Sequence, residues 1–282
     1  MKTQKMLNFF STLFTAGILL TACQSGSGDV VSQETANQFT VDQVALETEV
    51  DNATEDVTVI VDQTYNDVEF ANKTATPHER YLPDCATVTK DVTDTTKDIT
   101  IDFGEACELR NGNTVSGIIM MHWVKDPTAL TISIEVTFDN LFVNDKHIEG
   151  GYTVLRERSN NNGNPQSTHT FDVTVTWPDN SVASKNGTRT KELIEGQDTR
   201  AWGDNVFSIT GNWNFTRKDG TVHVATITTP LRKELSCRFI VSGVIAFQKD
   251  DQAAVLDFGD GTCDDLGEVT KDGVTETIHL RK

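Results

Sequence analysis

Basic residues are scarce in this chain. Lysine and arginine together number 24 against 42 aspartates and glutamates, which gives a formal net charge of −18 at pH 7. Proteins that bind nucleic acids or anionic lipid headgroups do so through clustered Lys and Arg side chains. The charge balance therefore disfavours both kinds of partner, and no nucleic-acid binding is predicted.

Catalytic motifs of known classes are also missing. The chain contains neither HExxH, the zinc-protease spacing, nor GxSxG, the nucleophile elbow of many hydrolases. Asp-Phe-Gly occurs twice, at residues 102–104 and 257–259, but without the glycine-rich loop and catalytic segment of a protein kinase. No catalytic residue is predicted, and a hydrolase with carboxylates on distant strands remains the least favoured alternative.

A single long apolar run is present, at residues 6–20, and it follows Lys2 and Lys5. A basic start, a short apolar segment and small residues at its end are typical of a secretory signal peptide rather than a transmembrane helix. Apart from this run, no apolar segment approaches the ~20 residues that a membrane-spanning helix needs.

The apolar run ends in Leu20-Thr-Ala-Cys23, which resembles the bacterial lipobox. The resemblance implies that residues 1–22 are removed as a signal peptide and that Cys23 receives palmitate-like acyl chains. Such chains would anchor the protein to the membrane, and Gln24 after the cysteine implies the outer membrane under the sorting rule of enteric bacteria. Residues 23–39 are then a flexible tether, and residues 40–282 a single domain.

Cysteines are few, and acylation of Cys23 leaves four of the five for disulfides. These four are Cys85, Cys107, Cys237 and Cys263. An oxidising envelope favours two disulfides, with three connectivities available. The segment between each neighbouring pair has the pattern strand, polar turn, strand, and antiparallel pairing brings both cysteines to the open end of their own hairpin. The prediction is Cys85–Cys107 and Cys237–Cys263.

One helix is predicted within residues 41–71. Thr40 and Gln43 have the spacing of a capping box, and small apolar residues then recur at helical intervals from Val50 to Val68. The many Thr, Val and Asp residues make the segment a weak helix former, so we expect it to depend on packing against the rest of the domain.

From Cys85 onward the pattern alternates between apolar and polar residues, which is typical of strands. The alternating runs are 131–138, 170–177, 206–209, 221–228 and 275–280. Turn signals lie between them at 144–145, 160–164, 178–180, 186–187, 219–220 and 272–273. The sequence therefore predicts an all-β fold, an antiparallel meander that follows one amphipathic helix.

Two short motifs occur in both halves of this β region. Asp-Phe-Gly with a nearby cysteine appears before Cys107 and before Cys263, and Val-Ser-Gly appears at residues 115–117 and 241–243. The repeat spans about 85–125 and 237–281, with the order of the two strands reversed. Glycines inside strands mark bends or bulges, so Gly117, Gly150, Gly211 and Gly243 favour a curved sheet or open barrel.

With these motifs, residues 40–282 resemble a group of uncharacterised envelope lipoproteins from Bacteroidetes. That group shows a strand ending in Asp-Phe-Gly, a nearby cysteine and a glycine-containing strand, twice per chain. The resemblance implies an envelope location and a β-rich fold, and it implies no activity.

Two sets of residues are candidates for ligand contacts. The tryptophans Trp123, Trp177, Trp202 and Trp213 could form sugar-binding platforms, although tryptophan in a β-protein is more often part of the core. The carboxylates Asp257, Asp260, Asp264 and Asp265 could bind calcium, although Asp and Gly also serve tight turns.

These observations favour a non-catalytic envelope lipoprotein that binds a lipid, a glycan or a protein partner. A structural component of an outer-membrane complex is the alternative. A large cavity near the helix would favour ligand binding, exposed edge strands would favour the structural role, and facing carboxylates of raised pKa would favour the hydrolase.

Overall fold

The helix of the domain is long and lies against a large antiparallel sheet. The structure is a computed structural model that describes residues 40–69, 82–125, 128, 130–199, 201, 203–217 and 219–280. Helix α1 spans Val41–Glu69, within the predicted bounds. The Gln43 carboxamide oxygen accepts a hydrogen bond of 3.0 Å from the Thr40 backbone N–H, which is one of the two bonds of a capping box. Cys23 and the signal peptide lie outside the described residues.

Fourteen strands follow the helix. They are β1 (Thr87–Val92), β2 (Thr96–Asp102), β3 (Cys107–Glu108), β4 (Thr114–Val124), β5 (Thr131–Val143), β6 (Lys146–Glu157), β7 (Gln166–Thr176), β8 (Val182–Glu195), β9 (Val206–Thr216), β10 (Val222–Glu234), β11 (Ile240–Lys249), β12 (Gln252–Asp260), β13 (Leu266–Lys271) and β14 (Val274–His279). All strand pairs are antiparallel. Each strand pairs with the next one in the chain, except that β2 pairs with β4 and the short β3 pairs only with β4. The sheet is an open meander with β1 and β14 at its edges, so the predicted fold class is confirmed.

One predicted turn is wrong. Asn186-Gly187 lies inside β8 and forms no turn, because Gly187 pairs across the sheet with Trp213. A Cβ atom at Gly187 would lie 2.6 Å from the Trp213 Cβ atom. The glycine therefore allows the backbone of the neighbouring strand to approach closely at Asn212 and Trp213, a role that only the three-dimensional pairing reveals.

The four strand glycines lie at irregularities in the sheet, as predicted. Gly117 and Gly243 fall at register shifts of the β4–β5 and β11–β12 pairs. Gly150 and Gly211 fall within the shifts of the β5–β6 and β9–β10 pairs. Such irregularities bend strands and increase their twist, which allows one sheet to contact the helix along its whole length.

The two copies of the repeat adopt equivalent pairings despite their reversed order. Ile101 of β2 pairs with Ile119 of β4, and Leu256 of β12 pairs with Ile245 of β11. The next pair is equivalent too, since Asp102 pairs with Ile118 and Asp257 with Val244. The disulfides Cys85–Cys107 and Cys237–Cys263, with Cα atoms 5.7 and 5.8 Å apart, are also confirmed.

Two core clusters lie between the helix and the sheet. The first contains Ile60 and Tyr65 of α1 with inward residues of β2 to β6, and the second contains Val44 and Val50 with inward residues of β7 to β14. Burial of these apolar side chains stabilises the fold by roughly 1.5–3 kcal/mol for each large residue. The helix thus fills the inner face of the sheet from one half to the other.

Candidate functional site

A row of carboxylates on α1 faces the sheet. Glu47, Asp51, Glu55, Asp62 and Glu69 follow one another at intervals of four or seven residues, which places them along one side of a helix. Four of them form ion pairs with lysine or arginine side chains of the strands, and Glu47 contacts the His223 ring. We call these five residues the acid row.

The partners of the acid row are cationic side chains on the inner face of the sheet. Asp51 contacts Lys185 and Arg189 of β8, Glu55 lies 2.6 Å from Lys191, and Asp62 lies 2.7 Å from Arg156. Glu69 pairs with Lys97 and Glu47 with His223. Most of these groups are buried, so both charges of each pair are withdrawn from water and each needs the other.

Electrostatics within the row follow from burial and pairing. Burial alone would raise the pKa of Asp51, but Arg189 and Lys185 beside it hold that pKa below its ordinary value. Burial lowers the pKa of Lys185 to about 8, although Asp51 opposes the shift. The pKa of Asp62 is likewise held low by Arg156 and His169 against the effect of burial.

Two of the candidate tryptophans belong to this helix–sheet interface. Trp123 and Trp213 are each 2 % exposed, so neither forms an exposed platform. Each donates an indole N–H to the acid row, Trp213 to Glu47 at 2.6 Å and Trp123 to Glu69 at 3.2 Å. These two hydrogen bonds connect the sheet to the N-terminal half and to the C-terminal end of α1.

The other two candidate tryptophans are Trp177 and Trp202. Trp177 lies in the turn after β7 and is partly buried against the second core cluster. Trp202 lies outside the described residues. The structure does not bring the three described tryptophans together into one surface.

The four candidate calcium ligands serve turns and one ion pair instead. Asp257, Asp260 and Asp264 each accept a backbone N–H from the residue two positions later, at 2.9, 3.2 and 3.0 Å. Asp265 lies 2.8 Å from His279. Within the part of the chain that the structure describes, no group of three His, Cys, Asp or Glu residues could hold a metal ion.

A Ser-His-Asp cluster is present but lacks the geometry of a catalytic triad. The Ser167 hydroxyl lies 3.1 Å from Nε2 of His169, and Asp62 lies 4.0 Å from that same nitrogen. In a triad the acid contacts the other ring nitrogen and orients the base. In His169, Nδ1 is buried and no described residue hydrogen-bonds to it. Burial lowers the pKa of His169 to about 4, despite the opposing charge of Asp62.

An open cavity of about 600 Å³ lies at the C-terminal end of α1. Its walls come from the last two turns of the helix, from β5 to β9 and from the segment after β8. The lining combines amides, hydroxyls and charged groups with apolar side chains such as Ile132 and Phe207. Cavities of about 300–1,000 Å³ are typical of small-molecule sites. Sequence reasoning missed this cavity because its walls are far apart in the chain.

A smaller cavity of about 220 Å³ lies at the other end of the helix, beside Asp42, Lys146 and His279. Lys146 there already contacts Glu49 at 2.9 Å. Of the two cavities, the larger is therefore the candidate ligand site.

A comparison of the chain with protein-family models, with curated proteins and with solved structures finds no match. Among the described residues, no helix combines the length and the apolar character required to cross a bilayer.

Proposed function

We propose that the protein is a lipid-anchored lipoprotein of the bacterial envelope that binds a ligand without transforming it. The observation that carries the binding function is the cavity of about 600 Å³ at the C-terminal end of α1. The lipobox sequence ending in Cys23 supports the anchor, and Gln24 supports an outer-membrane location. The repeated Asp-Phe-Gly and Val-Ser-Gly motifs support membership in the group of envelope lipoproteins from Bacteroidetes.

The helix limits where a ligand can bind. Val44, Val50, Ile60 and Tyr65 occupy the inner face of the sheet, where an apolar cargo would otherwise lie. The acid row fixes the helix there through buried ion pairs. A lipid in that position would have to displace both, whereas the cavity at the helix end is open without any rearrangement. This favours a small ligand at the helix end over a lipid under the helix.

A structural role in an outer-membrane complex is the second candidate. Strands β1 and β14 form the two edges of the sheet, and most of their residues are exposed. Exposed edge strands can pair with another chain. Such pairing would leave the cavity unused, which separates the two proposals.

Membrane fractionation tests the anchor. Cys23→Ser should move the protein from the membrane pellet to the soluble fraction, while Cys23-containing protein stays in the pellet. A Cys23→Ser variant that still sediments with membranes would contradict a lipid anchor as the sole attachment.

Ligand stabilisation tests the binding function. Protein purified gently from its own envelope should melt at a higher temperature than the same protein after unfolding, dialysis and refolding with its disulfides intact. A ligand present at 100 times its dissociation constant stabilises by about 2.7 kcal/mol. Identical melting temperatures, with no small molecule released on unfolding, would contradict the proposal.

A further inference from the structure

Four acidic and three basic side chains line the large cavity, and most of them have a partner of opposite charge. Arg156 pairs with Asp62 and Lys191 with Glu55, while Glu157 accepts a hydrogen bond of 2.6 Å from Gln166. The other charged groups of the lining are Glu69, which pairs with Lys97, and Arg158 and Asp67, which carry opposite signs. A strongly anionic ligand would find no excess of positive charge here and would compete with existing pairs.

The remaining polar groups of the lining are neutral. They are amides and hydroxyls, among them Asn66, Gln166, Ser167, Gln197, Thr199 and Asn205. An amide group or a hydroxyl supplies both hydrogen-bond donors and acceptors. A ligand that is itself rich in hydroxyl groups can use both, since each hydroxyl donates one hydrogen bond and accepts others.

Asn205 provides the second observation. Its side chain lines the cavity and the residue is only 7 % exposed, yet its carboxamide makes no hydrogen bond to any residue that the structure describes. The neighbouring backbone leaves space for this group, because a Cβ atom at Gly196 would lie 2.5 Å from the Asn205 Oδ1 atom. The carboxamide can supply two donors and one acceptor to a ligand in the cavity.

Arg156 offers further donors beside it. Its Nη1 atom contacts Asp62 at 2.7 Å, and its guanidinium carbon lies 4.2 Å from the centre of the Tyr65 ring. These contacts fix the plane of the group, while its other N–H groups remain available to a ligand. Ile132 and Phe207 add apolar surface to the same cavity.

We propose that this cavity is a site for a neutral oligosaccharide, held by the Asn205 carboxamide and the Arg156 guanidinium. This inference rests on the proposed binding function and adds the chemical class of the ligand. Sugar hydroxyls match the neutral donors and acceptors, and the C–H faces of sugar rings match the apolar walls. Absence of negative charge in the ligand matches the small excess of acidic groups in the lining.

The test is binding of the full-length lipoprotein to an array of neutral oligosaccharides, in a detergent that has no sugar headgroup. The array carries oligomers of glucose, mannose, galactose, N-acetylglucosamine, xylose and arabinose, with trigalacturonate and dodecanoate as charged and lipid probes. We expect at least one neutral oligosaccharide to bind, and calorimetry then measures its dissociation constant for each variant.

Asn205→Ala should raise that dissociation constant about tenfold, as loss of one hydrogen bond of about 1.4 kcal/mol implies. Asn205→Asp, which keeps the shape but loses the NH₂ donor, should also weaken binding. Asn214→Ala, a change of the same kind at an exposed position, should leave the constant within twofold of the wild-type value. Melting temperatures of all variants show whether they fold.

Each outcome bears on one proposal. If no neutral oligosaccharide binds, or if Asn205→Ala and Asn205→Asp leave binding unchanged, the carbohydrate inference is overturned. If trigalacturonate or dodecanoate binds instead and Asn205→Ala weakens it, the inference fails while the binding function stands. If no probe binds and no molecule copurifies with the protein, both are overturned.

Discussion

The indole nitrogen of Trp213 donates a hydrogen bond of 2.6 Å to Glu47, although the two residues are 166 positions apart in the chain. The Trp213 ring also lies 4.4 Å from the Lys185 ammonium and 4.1 Å from the Arg189 guanidinium. Both cations contact Asp51, one helical turn after Glu47. This tryptophan thus joins the core of the sheet to the acid row of the helix.

Replacement of Trp213 by Phe should lower the free energy of unfolding by about 1–3 kcal/mol, because Glu47 loses a buried donor. Trp177→Phe, in the turn after β7, is the matched control and should cost less. Urea denaturation followed by far-UV circular dichroism measures both. Equal effects of the two changes would contradict a special role for the Trp213 hydrogen bond.

Asp51→Ala should destabilise the protein by about 3–5 kcal/mol, since it leaves Lys185 and Arg189 buried without a counter-charge. Lys185 is buried and its side chain is only 2 % exposed, so water cannot replace the lost partner. Asp98→Ala removes an exposed ion pair with His122 and should change stability by about 0–1 kcal/mol. The same denaturation measurement applies. A loss below 1 kcal/mol for Asp51→Ala would show that the acid row does not hold the helix.

Acid should destabilise the protein partly through His169. Its pKa is lowered from 6.5 to about 4 in the folded state by burial, so between these pH values the unfolded chain binds a proton that the folded chain does not. Stability therefore falls as the pH falls from 6.5 to 4, by roughly 3 kcal/mol in total. The groups facing His169 are Asp62, Lys191, Arg156 and Glu55.

His169→Gln should remove this part of the pH dependence. Stability curves of both proteins between pH 7 and 4 provide the measurement, with the wild type showing the steeper slope. Superimposable slopes would mean that His169 is not the group responsible. Asp51 and Asp62 each have cationic partners that hold their pKa values low. Their contribution to the stability of the fold is therefore retained to lower pH, and it is lost only as the pH falls through those lowered pKa values.

Gly117→Ala should be strongly destabilising, well beyond the ~1 kcal/mol of an ordinary surface change. The residue has a φ of +88°, and a Cβ atom there would lie 2.0 Å from the Asn140 carbonyl oxygen. Gly203→Ala meets no atom within 4 Å and is the control. Thermal melting measures both. A Gly117→Ala protein as stable as Gly203→Ala would contradict the bulge at this position.

Local features of the sequence predicted local features of the fold well. The capping spacing of Thr40 and Gln43 indicated the start of α1, and the hairpin pattern between Cys85 and Cys107 indicated the disulfide. Each depends on residues that are close in the chain. The turn predicted at Gly187 was wrong because the partner of this glycine, Trp213, belongs to the next strand. In the sequence, a glycine that allows a neighbouring strand to approach closely looks the same as a turn glycine.

The acid row shows what more could have been inferred. The spacing from Glu47 through Asp51 and Glu55 to Asp62 and Glu69 is visible in the sequence and indicates one helix face. Its cationic partners are not identifiable there, because Asp51 and Lys185 are separated by 134 positions. The cavity was equally hidden, since Arg156 lies in β6 and Asn205 directly before β9, and the two come together only in the folded protein.

The central claim is that the cavity at the C-terminal end of α1 holds a ligand, and native mass spectrometry tests it most directly. The lipoprotein is purified in mild detergent from its own envelope, as wild type, as Asn66→Trp, which fills the cavity, and as Asn214→Trp, which adds the same bulk at an exposed position. We predict a stoichiometric adduct beyond the acyl chains in the wild type and in Asn214→Trp, and its loss in Asn66→Trp. A wild-type protein without an adduct, or an adduct that persists in Asn66→Trp, would contradict the account.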